Sequence, residues 1–276
     1  MTGPFLWIIA ALGLASAIGF SPVAAQGNAD PKRTGQDARR CGGTFVEGRL
    51  TTIGAEGDLA LSDGQPAKLS GLRLPETDLH RRQAVELLRV QREKSVIVES
   101  LGEKDRWGRL PVRIRLSSAE TGSDLSHILV EAGLAIVDPG PERVFCQPEL
   151  LAFEETAREQ RLGVWADARY NPIPAEQNEL LRERVGSFVI VEGRVRSVGE
   201  RKQTTYLNFG GHWAEDFTIV IPRKVWTLMA ERGLDAASLK GRRIRARGIL
   251  QTWQGTALTI EMPEMIERLE GNRLPR

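Results

Sequence analysis

The chain has 276 residues, 41% of them apolar and 27% charged, the balance of a folded globular protein rather than a disordered one. That length admits one large or two small domains. Basic and acidic residues number 38 and 36, a formal net charge of +2, which excludes a strong overall pull on a polyanion and leaves room only for a local basic patch.

Pro4 to Ala25 carries no charge, and the polar run QGNADPKRTGQD follows it. Val23 and Ala25 are small residues placed three and one positions before a possible cut after Ala25. Residues 1–25 are therefore expected to be a secretory signal peptide, with an N-terminal membrane anchor as the alternative, because the run is long enough to span a bilayer. Either way the folded part is expected outside the cytoplasm, periplasmic or secreted, meeting a membrane only through this segment. Residues 26–42 read as a flexible leader. Cys41 and Cys146 are the two cysteines. In an oxidising compartment they are expected to form a disulfide; two unrelated thiols are the alternative, and with no histidine beside them they make no zinc site.

From Gly43 the pattern turns to β. TFVEGRLTTI, DLAL and AKLSGLRL read as strands, with the SDGQ turn before the last of them. HRRQAVELLRVQREK has the spacing of an amphipathic helix. SVIVES and LPVRIRL are two more strands. SDLSHILVEAGL and PELLAFEETAREQRLG are helices, the first opened by Ser123 and Asp124 and the second closed at Gly163. Residues 43–166 thus read as a small barrel of OB-fold type with appended helices. Residues 167–186 read as a linker and a short helix. In 187–270, FVIVEGRVRSVG, TTYLNFG and DFTIVIP are strands, RKVWTLMAERG a helix, and RRIRARGIL and TALTIEM strands. The order is that of a second OB-like domain. The expected fold class is mainly β with α, two small barrels in tandem.

KLSGLRLPE (Lys68 to Glu76), DRWGR (Asp105 to Arg109), ILVEAGLAIV and AREQRLGVW follow one another along the first domain. On these four stretches residues 44–166 resemble the staphylococcal nuclease (thermonuclease) family. The resemblance implies calcium-assisted hydrolysis of a phosphodiester in DNA or RNA. A metal and two arginines would stabilise the developing charge while a glutamate helps a water attack, chemistry that rests on positioned charge. It puts Glu76 at the glutamate, Arg109 at the second arginine and Asp58 at the first metal aspartate. Two positions depart. The first arginine is Lys68, a point charge without the planar fork that grips two phosphate oxygens. The second metal aspartate is Arg73, a guanidinium where a hard cation needs oxygen ligands. Arg73 is expected to pair with Asp58, and calcium to serve as cofactor only if the site survives.

In the second domain, Arg243, Arg245 and Arg247 alternate with apolar or small residues, which puts all three on one strand face. Tyr206, Phe209, Trp213 and Trp253 lie in neighbouring strands or loops. Cations beside stacking aromatics suit a single-stranded nucleic acid; the plainer reading is a solvated arginine face over a core that takes the aromatics. His80, His127 and His212 have no ligand spacing. The sequence therefore leads to an exported protein that binds nucleic acid or another polyanion with little or no hydrolysis. An active phosphodiesterase and an envelope module that binds protein stay open as alternatives.

Overall fold

Alternating side chains build the first barrel. Strands β1 (Phe45–Ile53), β2 (Leu59–Leu61), β3 (Pro66–Leu69), β5 (Ser95–Ser100) and β6 (Leu110–Leu116) close in the order β1-β2-β3-β6-β5. Val96 and Val98 of β5 and Val112 and Ile114 of β6 point inward, and Val98 stands opposite Ile114. A register shift between Leu50 and Thr52 bends β1, as closure of a small barrel requires. The computed structural model describes residues 41, 43–117, 123–140, 145–212 and 215–269. The expected signal peptide or anchor lies outside the described residues, as do Trp213 and the leader apart from Cys41. No described helix is long and apolar enough to cross a membrane.

Helix α1 (Asp78–Arg89) covers the barrel with Ala84, Val85 and Leu88, and carries Asp78 in its first turn and Arg89 in its last, each at the end of the dipole that favours it. Helices α2 (Leu125–Glu131) and α3 (Leu150–Glu159) pack on one another. The stretch read as one strand, AKLSGLRL, is two. Gly71 has φ +71°, and a Cβ there would come within 2.6 Å of the Phe145 ring, so the chain turns at this glycine. It leaves the barrel as β4 (Leu72–Arg73), which pairs with β7 (Ile136–Val137). Cys41 and Cys146 form a disulfide with their Cα atoms 5.4 Å apart, which fits an oxidising compartment.

The second region is built on a single eight-stranded sheet. Its sheet follows the path β10-β11-β12-β14-β13-β9-β8, with β15 on the side of β13. These are β8 (Ile173–Pro174), β9 (Phe188–Arg194), β10 (Ser197–Glu200), β11 (Thr204–Asn208), β12 (Thr218–Pro222), β13 (Arg243–Thr252), β14 (Thr256–Thr259) and β15 (Ile266–Arg268). Helix α4 (Asn178–Glu183) precedes β9, and α5 (Arg223–Glu231) and α6 (Ala236–Leu239) lie between β12 and β13. β9 and β10 are successive lengths of one bent chain. At the bend the Val195 amide bonds to Arg242 and the Arg196 amide to Asn208, so the two lengths serve opposite edges. The stretch expected as a linker is also packed. Tyr170 is buried, and Ile173 pairs in parallel with Val191.

The arginine ladder of β13 corrects the expectation most sharply. The three side chains do share a face, but that face meets α3 instead of solvent. Arg245 contacts Glu155 at 2.5 Å, Glu192 at 2.7 Å and Glu267 at 3.6 Å. Arg247 is fully buried. It donates to the Val137 carbonyl at 2.9 Å and to Glu267 at 2.5 Å, and Glu154 Oε2, also fully buried, lies 2.8 Å from its Nη1. Burial alone would lower the Arg247 guanidinium, but the Glu154 and Glu267 carboxylates hold it above its ordinary value. Only Arg243, paired with Glu192 at 3.3 Å, stays exposed. Beside the ladder, Ile136, Trp165, Tyr170, Phe188 and Ile190 form a small apolar core shared by the two regions.

A pH dependence follows from these pairs. Burial works to raise the Glu155 carboxyl, yet the hydrogen bond from Arg245 and the charges of Arg158 and Arg245 hold it below the usual range. Hydrogen bonds do the same for Asp105 against its burial. A depressed folded value means stability that is present above the unfolded value, about 4 for these groups, and lost as pH falls through the folded one. Urea midpoints are therefore expected to stay level from about pH 7 to 5 and to fall below about pH 4. Glu155→Gln is expected to lower the neutral plateau and flatten that acid limb.

Candidate functional site

One cleft of about 830 Å³ opens on the first barrel, and Asp58, Lys68, Arg73, Glu76 and Arg109 all line it. They arrive from four places: the turn before β2, strand β3, the short strand β4 with the loop that follows it, and the turn before β6. The sequence reading therefore named side chains that the fold brings together.

Arg109 is held on two sides. Its Nε and Nη2 reach Asp105 Oδ2 at 3.0 and 2.9 Å, and its Nη1 donates to Asp58 Oδ1 at 2.6 Å. Burial alone would lower its guanidinium, and the bonds to Asp58 and Asp105 raise it. A guanidinium has five N–H donors, so this clamp orients Arg109 without exhausting it. Asp105 also accepts from the Trp107 and Arg109 amides, which fixes the turn that carries both. Trp107 is 62% exposed, and the guanidinium of Arg106 lies 3.9 Å from its ring centroid. Lys68 has no ion pair among the described residues.

Arg73 does not pair with Asp58. Its Nε and Nη2 donate to Oδ2 of Asp138, at 3.2 and 3.0 Å. The physical reason is the β4–β7 pairing, which sets Arg73 opposite Ile136 and brings the next turn's carboxylate alongside. Asp58 is taken by Arg109 instead. Across the cleft, Arg81 grips Glu56 through Nη1 at 2.9 and 2.7 Å and donates from Nε to the Pro75 carbonyl at 3.0 Å, tying two rims together. The Tyr170 hydroxyl accepts from the Thr77 amide at 3.0 Å and donates to Thr77 Oγ1 at 3.0 Å, so the Glu76 loop is anchored from outside the barrel.

A calcium ion takes six to eight oxygen ligands. Of the cleft's carboxylates, Asp58 and Asp105 are engaged by Arg109, Glu56 by Arg81 and Asp138 by Arg73. Among the described residues no three of His, Cys, Asp and Glu gather where they could hold a metal. These carboxylates are thus turned to guanidinium groups in the structure.

Residues 68–167 match the family model for staphylococcal nuclease homologues. The chain carries a staphylococcal nuclease homologue domain. No curated protein matches the chain. The matched span starts inside β3, and β1 and β2 of this nuclease-like domain complete its barrel from upstream.

The residues expected to bind nucleic acid in the second region do not gather into one surface. Arg245 and Arg247 are buried; Tyr206 is half-buried opposite Val220, and Trp253 is exposed at the tip between β13 and β14. Sequence reasoning missed Asp105, Trp107, Asp138 and Tyr170. Trp107 carried a signal, an aromatic between two arginines in RWGR. Asp138 carried none, because it lies 65 residues from Arg73.

Proposed function

We propose that the protein is exported and binds single-stranded nucleic acid, or a polyanion of like charge, in the cleft of its nuclease-like domain, with little or no hydrolysis. The observation that carries this reading is the cleft wall itself. Lys68, which has no ion pair among the described residues, the clamped Arg109 and the exposed Trp107–Arg106 pair line this cleft together, supplying phosphate contacts and a stacking face. The carboxylates that a catalytic calcium would require are engaged by guanidinium groups. Glu76 remains as a carboxylate in the cleft, yet a water beside it would meet no metal to polarise the phosphate, a loss of several kcal/mol of charge stabilisation. The disulfide supports an oxidising, exported setting.

The test is hydrolysis and binding of labelled single-stranded DNA and RNA, with calcium and with chelator. Turnover is expected to be absent or marginal and unchanged by Glu76→Gln. Binding is expected to fall steeply with added salt and to weaken about tenfold with Trp107→Ala or Lys68→Ala. Calcium-dependent turnover lost in Glu76→Gln would establish a working phosphodiesterase instead. Absence of both binding and turnover would move the function to a protein partner.

A further inference from the structure

We propose that Arg73 is a resident cation that makes the cleft a metal-independent site for a phosphate-type anion, and that the second region holds it in place. This rests on the polyanion reading above and adds to it the means by which the anion is held.

Two constraints of different kinds fix the guanidinium. Asp138, buried and itself receiving the Gly140 amide on Oδ1 at 3.2 Å, takes Nε and Nη2. The ring of Phe188, the first residue of β9, lies 4.8 Å below Cζ. A carboxylate at the edge and a ring on the face together set the plane of the group. Nη1 has no partner among the described residues, and the side chain is 33% exposed and lines the cleft.

The charge count points the same way. Five carboxylates and five cationic side chains line the cleft, a balance of zero without any metal. A carboxylate at position 73 would leave six against four, a deficit of two charges, which one divalent cation would cancel. Arg73 therefore supplies from the chain the charge that an ion would otherwise bring. Its presence also repels such an ion.

The experiment is fluorescence anisotropy of a labelled oligothymidylate with the full chain, in chelator and in excess calcium, with inorganic phosphate as competitor. Equal affinity in the two conditions is expected. The double variant Arg73→Gln with Asp138→Asn keeps a neutral hydrogen-bonded pair, so the fold is retained, and is expected to bind about tenfold more weakly in chelator. Phe188→Leu keeps the apolar packing without the ring face and is expected to weaken binding by about threefold. Wild-type binding that requires calcium overturns the inference. Full-strength binding by the double variant, with Lys68→Ala impaired, also overturns it and leaves the polyanion reading standing. No binding by the wild type in either condition defeats that reading and this inference together.

Discussion

Glu154→Ala is expected to lower the unfolding free energy by about 3–5 kcal/mol, because it strips one partner from a buried pair and leaves Arg247 without its one fully buried carboxylate. Glu154 is fully buried on α3, and its Oε1 also accepts the Val137 amide at 2.8 Å. The substitution therefore orphans a backbone donor as well as a charge. The cost should fall on the contact between the two regions first. Equilibrium urea unfolding followed by tryptophan fluorescence is expected to show a lower midpoint, with Trp165 of the shared apolar core reporting the opening. Arg247→Met alone should be similarly damaging, because it leaves the buried Glu154 with only the more distant Arg158, 3.8 Å away. Glu154→Leu combined with Arg247→Met should recover much of the loss, since a well-packed apolar pair can replace a buried ionic one at little cost. Additive losses in the double variant would show that the two side chains act independently.

The second large effect is expected from the disulfide. Cys41 and Cys146 are 105 positions apart, and closing a loop of that size restricts the unfolded chain by about 4–5 kcal/mol in the chain-entropy treatment. Cys41→Ser with Cys146→Ser is expected to lose that amount in urea unfolding without altering oligonucleotide affinity, because neither cysteine lines the cleft. A drop in affinity equal to the drop in stability would instead tie the bridge to the geometry of the site.

Local patterns in the sequence carried the barrel strands and helices α1 to α3, because each rests on spacing within a few residues, whereas Lys68, Glu76 and Arg109 were singled out only by the family resemblance. What escaped was set by distant partners. β7, β8 and β15 are two or three residues long, too short to show a period. The alternation of Arg243, Arg245 and Arg247 was read correctly as one face. Whether water or carboxylate covered it depended on Glu154 and Glu155, about ninety residues earlier. One signal was present. Leu150, Glu154 and Ala157 are the buried residues of α3, at the spacing of a helix's apolar stripe. A carboxylate on that stripe demands a cation from elsewhere. Arg73 shows the same limit in the cleft, where its true partner Asp138 comes from the turn after β7.

The distance between the ladder and its carboxylates also sets an order in time. Arg247 follows Glu154 by 93 positions (247 − 154). A chain growing from its N-terminus completes the first barrel and α3 while β13 is still unmade. Through that interval Glu154 and Glu155 share only Arg158 of their own helix, and two carboxylates with one cation between them do not leave water. The nascent first half therefore waits with a wet acidic flank. That flank dries only when the arginines arrive, which makes its closure a late step of maturation.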